Sequence, residues 1–362
     1  MTDRQIILMH GTDYRHMAME LLRASGLAEE HPDRGIRIGI KPNLVVAAAA
    51  EGGATTHPEL VAGVIDYLRE NGFSSVCVLE GSWVGARTDA AFRASGIGKV
   101  CEERGIPYFD LQKDSGVQVD ARGMRLNVCA RLREIDLLIN MPVVKGHCQT
   151  VMTCALKNLK GLLPNSEKRR FHTMGLHDPI GHLVTVMPEM FCLADNICGD
   201  LDFEEGGNPV VMNRIYCCKD PVLCDAFACR TMGWKVSDVP YIKIAESLGA
   251  GSADLSTAEI TALNKAAAEP PQRMSRRVRE LARYTAPKDA CSACYGALIH
   301  ALDRMERGGR LRHSLPDICI GQGYRGETGD LGVGNCCGAF RCHVPGCPPL
   351  SEDMIRFLSE LT

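Results

Sequence analysis

The chain has 362 residues, room for more than one hydrophobic core. Its 41 basic and 44 acidic side chains leave a formal charge of -3, which argues against a nucleic-acid partner and against an acidic tail. Apolar residues make up 45% and aromatics 5%, the balance of an aliphatic, layered α/β core and not of collagen, coiled coil or disorder.

In chain order, Gln5 to Met9, Ile36 to Ile40, Ser75 to Leu79 and Ile135 to Asn140 are short runs of Ile, Val and Leu. Helical periodicity separates them over Tyr14 to Ser25, Pro58 to Asn71 and Ala86 to Arg104. Buried strands alternating with helices predict a mainly parallel sheet covered on both faces. Pro58 suits a first helical turn, and Asn71-Gly72 suits its end. A second stretch offers strands at Phe191 to Ile197 and Val210 to Cys217, then helices at Pro221 to Met232 and Tyr241 to Leu248. The expected fold class is α/β: a mainly parallel sheet with flanking helices in two lobes over residues 1–252, then a connector over 253–284. A small cysteine-rich cluster domain over 285–362 follows, with a helix at Tyr295 to Arg307, two short strands and a closing helix after Pro349.

The surplus is in cysteine. Eleven of the 18 are scattered before residue 250, and seven fall between Cys291 and Cys347. The amino terminus has no apolar leader, and no run reaches the length of a membrane span, so the expectation is a cytoplasmic protein with no membrane partner. In a reducing compartment many cysteines point to metal, cluster or redox chemistry before disulfides. Cys291-Ser-Ala-Cys294 at a helix start, Gly334-Asn-Cys336-Cys337 and Val344-Pro-Gly-Cys347-Pro-Pro supply the four thiolates that an iron–sulfur cluster needs. The reading favours a [4Fe–4S] cluster on Cys291, Cys294, Cys336 and Cys347, with Cys337 or Cys342 as substitutes. A zinc ribbon would expect a second C-x-x-C, which is absent. Val-Pro-Gly-Cys-Pro-Pro followed by a helix resembles the cluster-ligand segment of the small iron–sulfur subunits of complex I and nickel–iron hydrogenases, and that resemblance implies Cys347 as a ligand.

A second concentration of chemistry lies between residues 136 and 172. A buried strand runs into Asn140-Met-Pro-Val-Val-Lys145-Gly-His147. Ala155-Leu-Lys157-Asn-Leu-Lys160-Gly161 and Lys168-Arg169-Arg170-Phe-His172 follow. Lys157 and Lys160 are neighbours on one helix face. Gathering cations at strand ends in a chain of slight negative charge predicts a site for a small anion, a carboxylate or phosphate. Lys41 and Asn43 after the second strand join Lys145, Lys160 and Arg170 as expected binding residues. Lys157, His147 and His172 are the expected catalytic ones. Glu80-Gly-Ser-Trp83 after the third strand also places polar groups where the cleft would open, though Glu80 alone reads as a solvated loop carboxylate. Asp195, Asp200, Glu204 and Glu205 read as a solvated acidic loop, with cation coordination or charge balance as alternatives. His177 and His182 are further candidates. Asp220 reads as a helix cap, and Cys217, Cys218, Cys224 and Cys229 as buried inert thiols.

Lys41-Pro-Asn, Thr56-His-Pro-Glu, Ser95-Gly-Ile97, Asn140-Met-Pro-Val-Val-Lys-Gly-His147, Ala155-Leu-Lys-Asn-Leu-Lys-Gly161, Leu193-Ala-Asp195 and Asp220-Pro-Val-x-x-Asp225-Ala together resemble the domain-of-unknown-function family 362. The resemblance implies an iron–sulfur protein of unassigned activity. It covers residues 35 to 250, and the conventional ferredoxin segment of many members is missing here. His147, Lys157 and His172 are also spaced as in lactate racemase, the nickel-pincer enzyme, where the lysine anchors the cofactor and histidines serve acid–base or metal-binding roles. Ala-Leu-Lys-Asn replaces that family's glycine-rich motif.

The sequence thus points to a cytoplasmic [4Fe–4S] oxidoreductase of anaerobic metabolism that takes a small anionic substrate at its strand ends, with an electron-transfer partner and a homodimer as the expected associations. A racemase-like non-redox isomerase and an electron carrier without turnover are the alternatives.

Overall fold

The computed structural model describes residues 1–265, 277–311 and 317–361. An α/β fold is present, with one large, mainly parallel sheet and a second, all-parallel sheet near the carboxyl end. From edge to edge the eight strands are Glu259–Ala262, Gln5–His10, Pro209–Cys218, Glu189–Asp200, Leu137–Met141, Ile38–Pro42, Val76–Glu80 and Tyr108–Asp110. Only Pro209–Cys218 runs against its neighbours. The early and late strand groups therefore share one sheet.

Alternation along the strands divides the core between its faces. Ile7, Ile38, Ile40, Ile139 and Leu193 pack with helices Tyr14–Ser25 and Pro58–Glu70 on one side. Ile6, Leu8, Leu138, Cys192 and Tyr216 pack with helices Pro221–Thr231 and Pro240–Ser247 on the other. Pro58 opens its helix as expected, and Asp220 caps the next by accepting from Val222 N and Leu223 N. The expected long helix over Ala86 to Arg104 is two helices, Thr88–Ala94 and Ile97–Glu103. Gly96 at φ 80° breaks it, a backbone conformation that glycine reaches without a Cβ clash.

The connector splits. Its Glu259–Ala262 segment pairs in parallel with Gln5–Leu8 and completes the large sheet. The Glu-Pro-Pro-Gln stretch lies outside the described residues. Helix Arg277–Ala282 contributes Leu281 to a third core, shared with helices Ser292–Arg307 and Ser351–Glu360 and with the strands Thr285–Pro287, Ile318–Ile320, Leu331–Val333 and Cys342–Val344. Phe203, from the chain after strand Glu189–Asp200, inserts into this third core, so the carboxyl-terminal unit is packed against the large sheet. Among the described residues no helix is long and apolar enough to cross a membrane.

Candidate functional site

The strands Ile38–Pro42, Val76–Glu80, Leu137–Met141 and Glu189–Cys192 run in one direction, so their carboxyl ends open side by side. That is where an open α/β sheet leaves a crevice. Residues leaving those ends line a cleft of about 670 Å³, its mouth included. Asn43, Glu80, Lys145, Lys157, Lys160, Lys168, His172 and Glu204 supply its polar lining, and Leu44, Val45, Trp83 and Val84 an apolar side.

Its charges are arranged around two buried carboxylates. Lys41 is wholly buried and donates to Glu80, to Pro42 O at 3.0 Å and to Asn158 Oδ1 at 3.2 Å. Gly161 makes room for Glu80, since a Cβ there would collide with the carboxylate. Lys145, equally buried, donates to Asn43 Oδ1 at 3.0 Å, to Ala54 O and to Glu204 O at 2.8 Å. Lys157 reaches Glu204 Oε2 at 3.0 Å, and His147 Nε2 faces the same oxygen. The amides of Gln149 and Thr150 donate to His147 Nδ1, which places the ring proton on Nε2. Asp200 accepts from the amides of Asp202, Phe203 and Asn208 and so shapes the turn that delivers Glu204.

Burial favours uncharged lysine, and neighbouring lysines add to it. The pKa values of Lys145 and Lys160 are lowered to about 7, and burial lowers that of Lys168 to about 8. Burial also lowers His147 to about 4, so it is neutral at pH 7, and it lowers His172. Burial alone would raise the Glu204 carboxyl, but His147 and Lys157 hold it well below its usual range. Glu205, beside it, is raised to about 7 by burial and by Glu204.

The solvated-acidic-loop reading is therefore wrong for Glu204, Asp195 and Asp200, all buried, and for Glu80. Two arrangements produce this burial. The strand carrying Asp195 and Asp200 extends far past its partner, and the following turn points inward at the lysines. Asp195 serves elsewhere: it accepts from His57 N at 2.8 Å and pairs with His57 Nδ1 at 2.9 Å. Of the expected binding residues, Asn43, Lys145 and Lys160 line the cleft, while Lys41 sits behind Glu80. Arg170 is turned away, bonded to Glu167 and to Arg125 O. Of the expected catalytic ones, Lys157 and His172 line the cleft and His147 stands behind Glu204, both ring nitrogens engaged. His177 and His182 do not line it; His182 Nδ1 bonds Ala121 O. Lys168 was visible in sequence only as part of a basic triplet. Its ammonium donates to Gly81 O at 2.9 Å and Ser82 O at 2.8 Å.

A second cavity, of about 380 Å³, adjoins the first. Cys291, Cys294, Cys336 and Cys347 all line it, with Arg169 and Arg325. Cys291 and Cys294 begin helix Ser292–Arg307, while Cys336 sits in the 3-10 turn Asn335–Cys337 and Cys347 on a loop, the two tied together by Asn335 N to Gly346 O and Gly346 N to Asn335 Oδ1. Burial raises the Cys291 thiol, and it raises Cys294 to about 12. Neither substitute lines the cavity: Cys337 donates to Cys319 O, and Cys342 lies in a strand.

Tetrahedral zinc would draw its sulfurs to about 3.8 Å from one another. No three of these thiols lie within 4.8 Å of one another; among the described residues only Cys154, Cys224 and Asp225 do. A cubane puts its four thiolates on four different irons, which requires wider spacing.

Cys291 lines both cavities. Gln149, two residues past His147, donates to Ala290 O at 2.9 Å and accepts from Ser292 Oγ at 2.8 Å, fixing this shared wall.

The stretch that builds the cleft, residues 38–230, matches the family described as Domain of unknown function (DUF362). The chain belongs to the DUF362 family. The matched stretch ends before the carboxyl-terminal cysteines: it supplies the lining of the lysine cleft apart from Cys291, Ser292 and Ala293, and the remainder supplies the lining of the cysteine cavity apart from Arg169. A thylakoid-associated protein of Synechocystis sp. is 27% identical over 138 residues, covering 38% of this chain and 42% of that protein. The alignment thus spans less than half of that relative's length.

Proposed function

We propose that this DUF362 protein is a [4Fe–4S] oxidoreductase that takes a small anionic substrate in the lysine cleft, with the cluster held by Cys291, Cys294, Cys336 and Cys347. The observation that carries the reading is the shared wall: Cys291 borders both the thiol-lined cavity and the cationic cleft, and Lys160 stands near it. When bound, the cluster would supply single electrons or an open iron acting as a Lewis acid.

The chain's own residues prepare the cleft. Lys160 and Lys157 attract and orient the anion, and burial strengthens their effect relative to water. Glu204 fixes Lys157 and His147, while Lys41–Glu80 and Lys145 brace the floor without facing solvent. His172, neutral and in the cleft wall, is placed to give or take a proton at a ring nitrogen. Among the described residues its Nδ1 has no hydrogen-bond partner.

The test is anaerobic purification with iron and sulfide analysis, followed by serine substitutions. Each of Cys291→Ser, Cys294→Ser, Cys336→Ser and Cys347→Ser is expected to lose the cluster's absorbance and EPR signal. Stoichiometric zinc in an iron-free preparation would refute the cluster. A cluster that responds to reductants while no anion binds would leave an electron carrier. Turnover that survives loss of the cluster and disappears with Lys157→Ala would establish the isomerase.

A further inference from the structure

The cleft has an apolar side that a bare inorganic anion would not use. Loop residues Ser82 to Val84 form it together with Leu44 and Val45. Ser82 Oγ donates to Leu44 O at 2.6 Å, and Trp83 N donates to Val45 O at 3.2 Å, so the two loops are stapled together. Gln112 Nε2 holds the outer side by donating to Ser82 O, Trp83 O and Ala86 O. The wall is therefore fixed before any ligand arrives. It also abuts the cysteine cavity, since Pro348, next to Cys347, packs on Gly85.

The cationic side is nearly spent. Lys145 uses three donors within the chain and Lys168 uses two. Lys157 is tied to Glu204. Among the described residues Lys160 lacks a hydrogen-bonded or ion-paired partner and lines the cleft. One free ammonium, helped by the spare donors of Lys157, matches a single negative charge and falls short of a phosphate dianion or a dicarboxylate. The apolar side presents four side chains, Leu44, Val45, Trp83 and Val84, more surface than the methyl group of acetate can cover.

Resting on the anion-site reading above, we infer that the substrate class is a monocarboxylate with an apolar, ring-sized body. Its carboxylate meets Lys160 and its body lies against Trp83 and Val84. An aryl group is the best fit, because Trp83 offers an indole for stacking or edge contact.

Calorimetric titration of the anaerobic full-length protein with acetate, phenylacetate and phenyl phosphate tests this. Phenylacetate should bind at least about tenfold tighter than acetate and tighter than phenyl phosphate. Trp83→Ala should bring phenylacetate down to the affinity of acetate while leaving acetate unchanged, and Lys160→Ala should weaken both carboxylates. Trp83→Leu, which keeps the wall filled, should retain part of the preference. In a Trp234→Phe background, phenylacetate should alter Trp83 emission in the wild-type cleft. Equal binding of acetate and phenylacetate, tighter binding of phenyl phosphate, or a preference untouched by Trp83→Ala would overturn the inference and leave the anion site standing. Failure of all three ligands to bind would overturn the anion site along with it.

Discussion

The lysine cleft and the cysteine cavity meet at Cys291 and differ in how their charges are balanced. In the cleft most buried cations have an oxygen partner supplied by the chain: Glu80 for Lys41, Asn43 and two carbonyls for Lys145, Glu204 for Lys157. In the cavity four thiols share one lining with Arg169 and Arg325, Lys160 stands near Cys291, and burial holds Cys291 and Cys294 protonated. The first region is preorganised, with one cation left over for a guest. On the proposed reading the second would be completed by the metal it binds, because a metal deprotonates the thiols that burial protects.

Removing a balancing charge should therefore do most damage in the cleft. Glu204→Ala leaves Lys157 and His147 facing each other in a buried site and should cost about 3–5 kcal/mol in urea unfolding. Glu204→Gln should cost less. A loss below about 1 kcal/mol would show that Glu204 is not the keystone.

The His57–Asp195 pair gives a second large effect away from the cleft, with a definite pH sign. Burial opposes charge on His57, but Asp195 outweighs it and raises the pKa to about 10 from the ordinary 6.5. Stabilisation by the pair should be complete below pH 6.5 and fade as pH rises through about 10. Asp195→Asn should therefore destabilise most at low pH, with the gap from wild type narrowing towards pH 10. Equilibrium unfolding at several pH values measures it.

Lys145 carries the opposite sign. Its folded pKa, about 7, lies below the ordinary 10.5, so between those values the unfolded chain binds the proton more readily. Wild type should gain stability relative to Lys145→Met as pH rises through that window. An anion in the cleft would restore charge to Lys160, whose pKa is likewise lowered to about 7, so binding should take up protons and affinity should fall as pH rises past about 7. Calorimetry in buffers of different ionisation heat reads the proton count directly.

The smallest effect expected is at Arg170. It is bonded to Glu167 and to Arg125 O away from the cleft, so Arg170→Ala should leave anion affinity unchanged. A clear loss of anion affinity would place Arg170 at the site after all.

The two regions were also unequally legible in the sequence. Cysteine spacing reduced the cavity to a short ligand set, and the residues Cys291, Cys294, Cys336 and Cys347 share one cavity. Strand ends with lysines nearby located the cleft because a parallel sheet exposes its carboxyl edge there. The carboxylates were misread because their burial depends on chain direction far from their own neighbours. Glu204 is brought in by a strand that outruns its partner, and Glu80 is enclosed by Gly161, eighty-one residues away. Lys168 and Arg170 look alike in sequence, yet one points into the sheet edge and the other away, a difference set by helix phase. Trp83 was legible only as the end of the strand-end run Glu80-Gly-Ser-Trp83, and its place opposite the lysines follows from loop-to-loop hydrogen bonds that no local pattern records.

The central claim is that cluster and anion share a wall, and EPR of the reduced, anaerobically purified protein with and without carboxylate tests it most directly. The account predicts about four irons per chain and a spectrum whose g-values shift when phenylacetate binds, the shift disappearing in Lys160→Ala. An iron-free protein, or a cluster spectrum indifferent to a carboxylate that calorimetry shows bound, would contradict it.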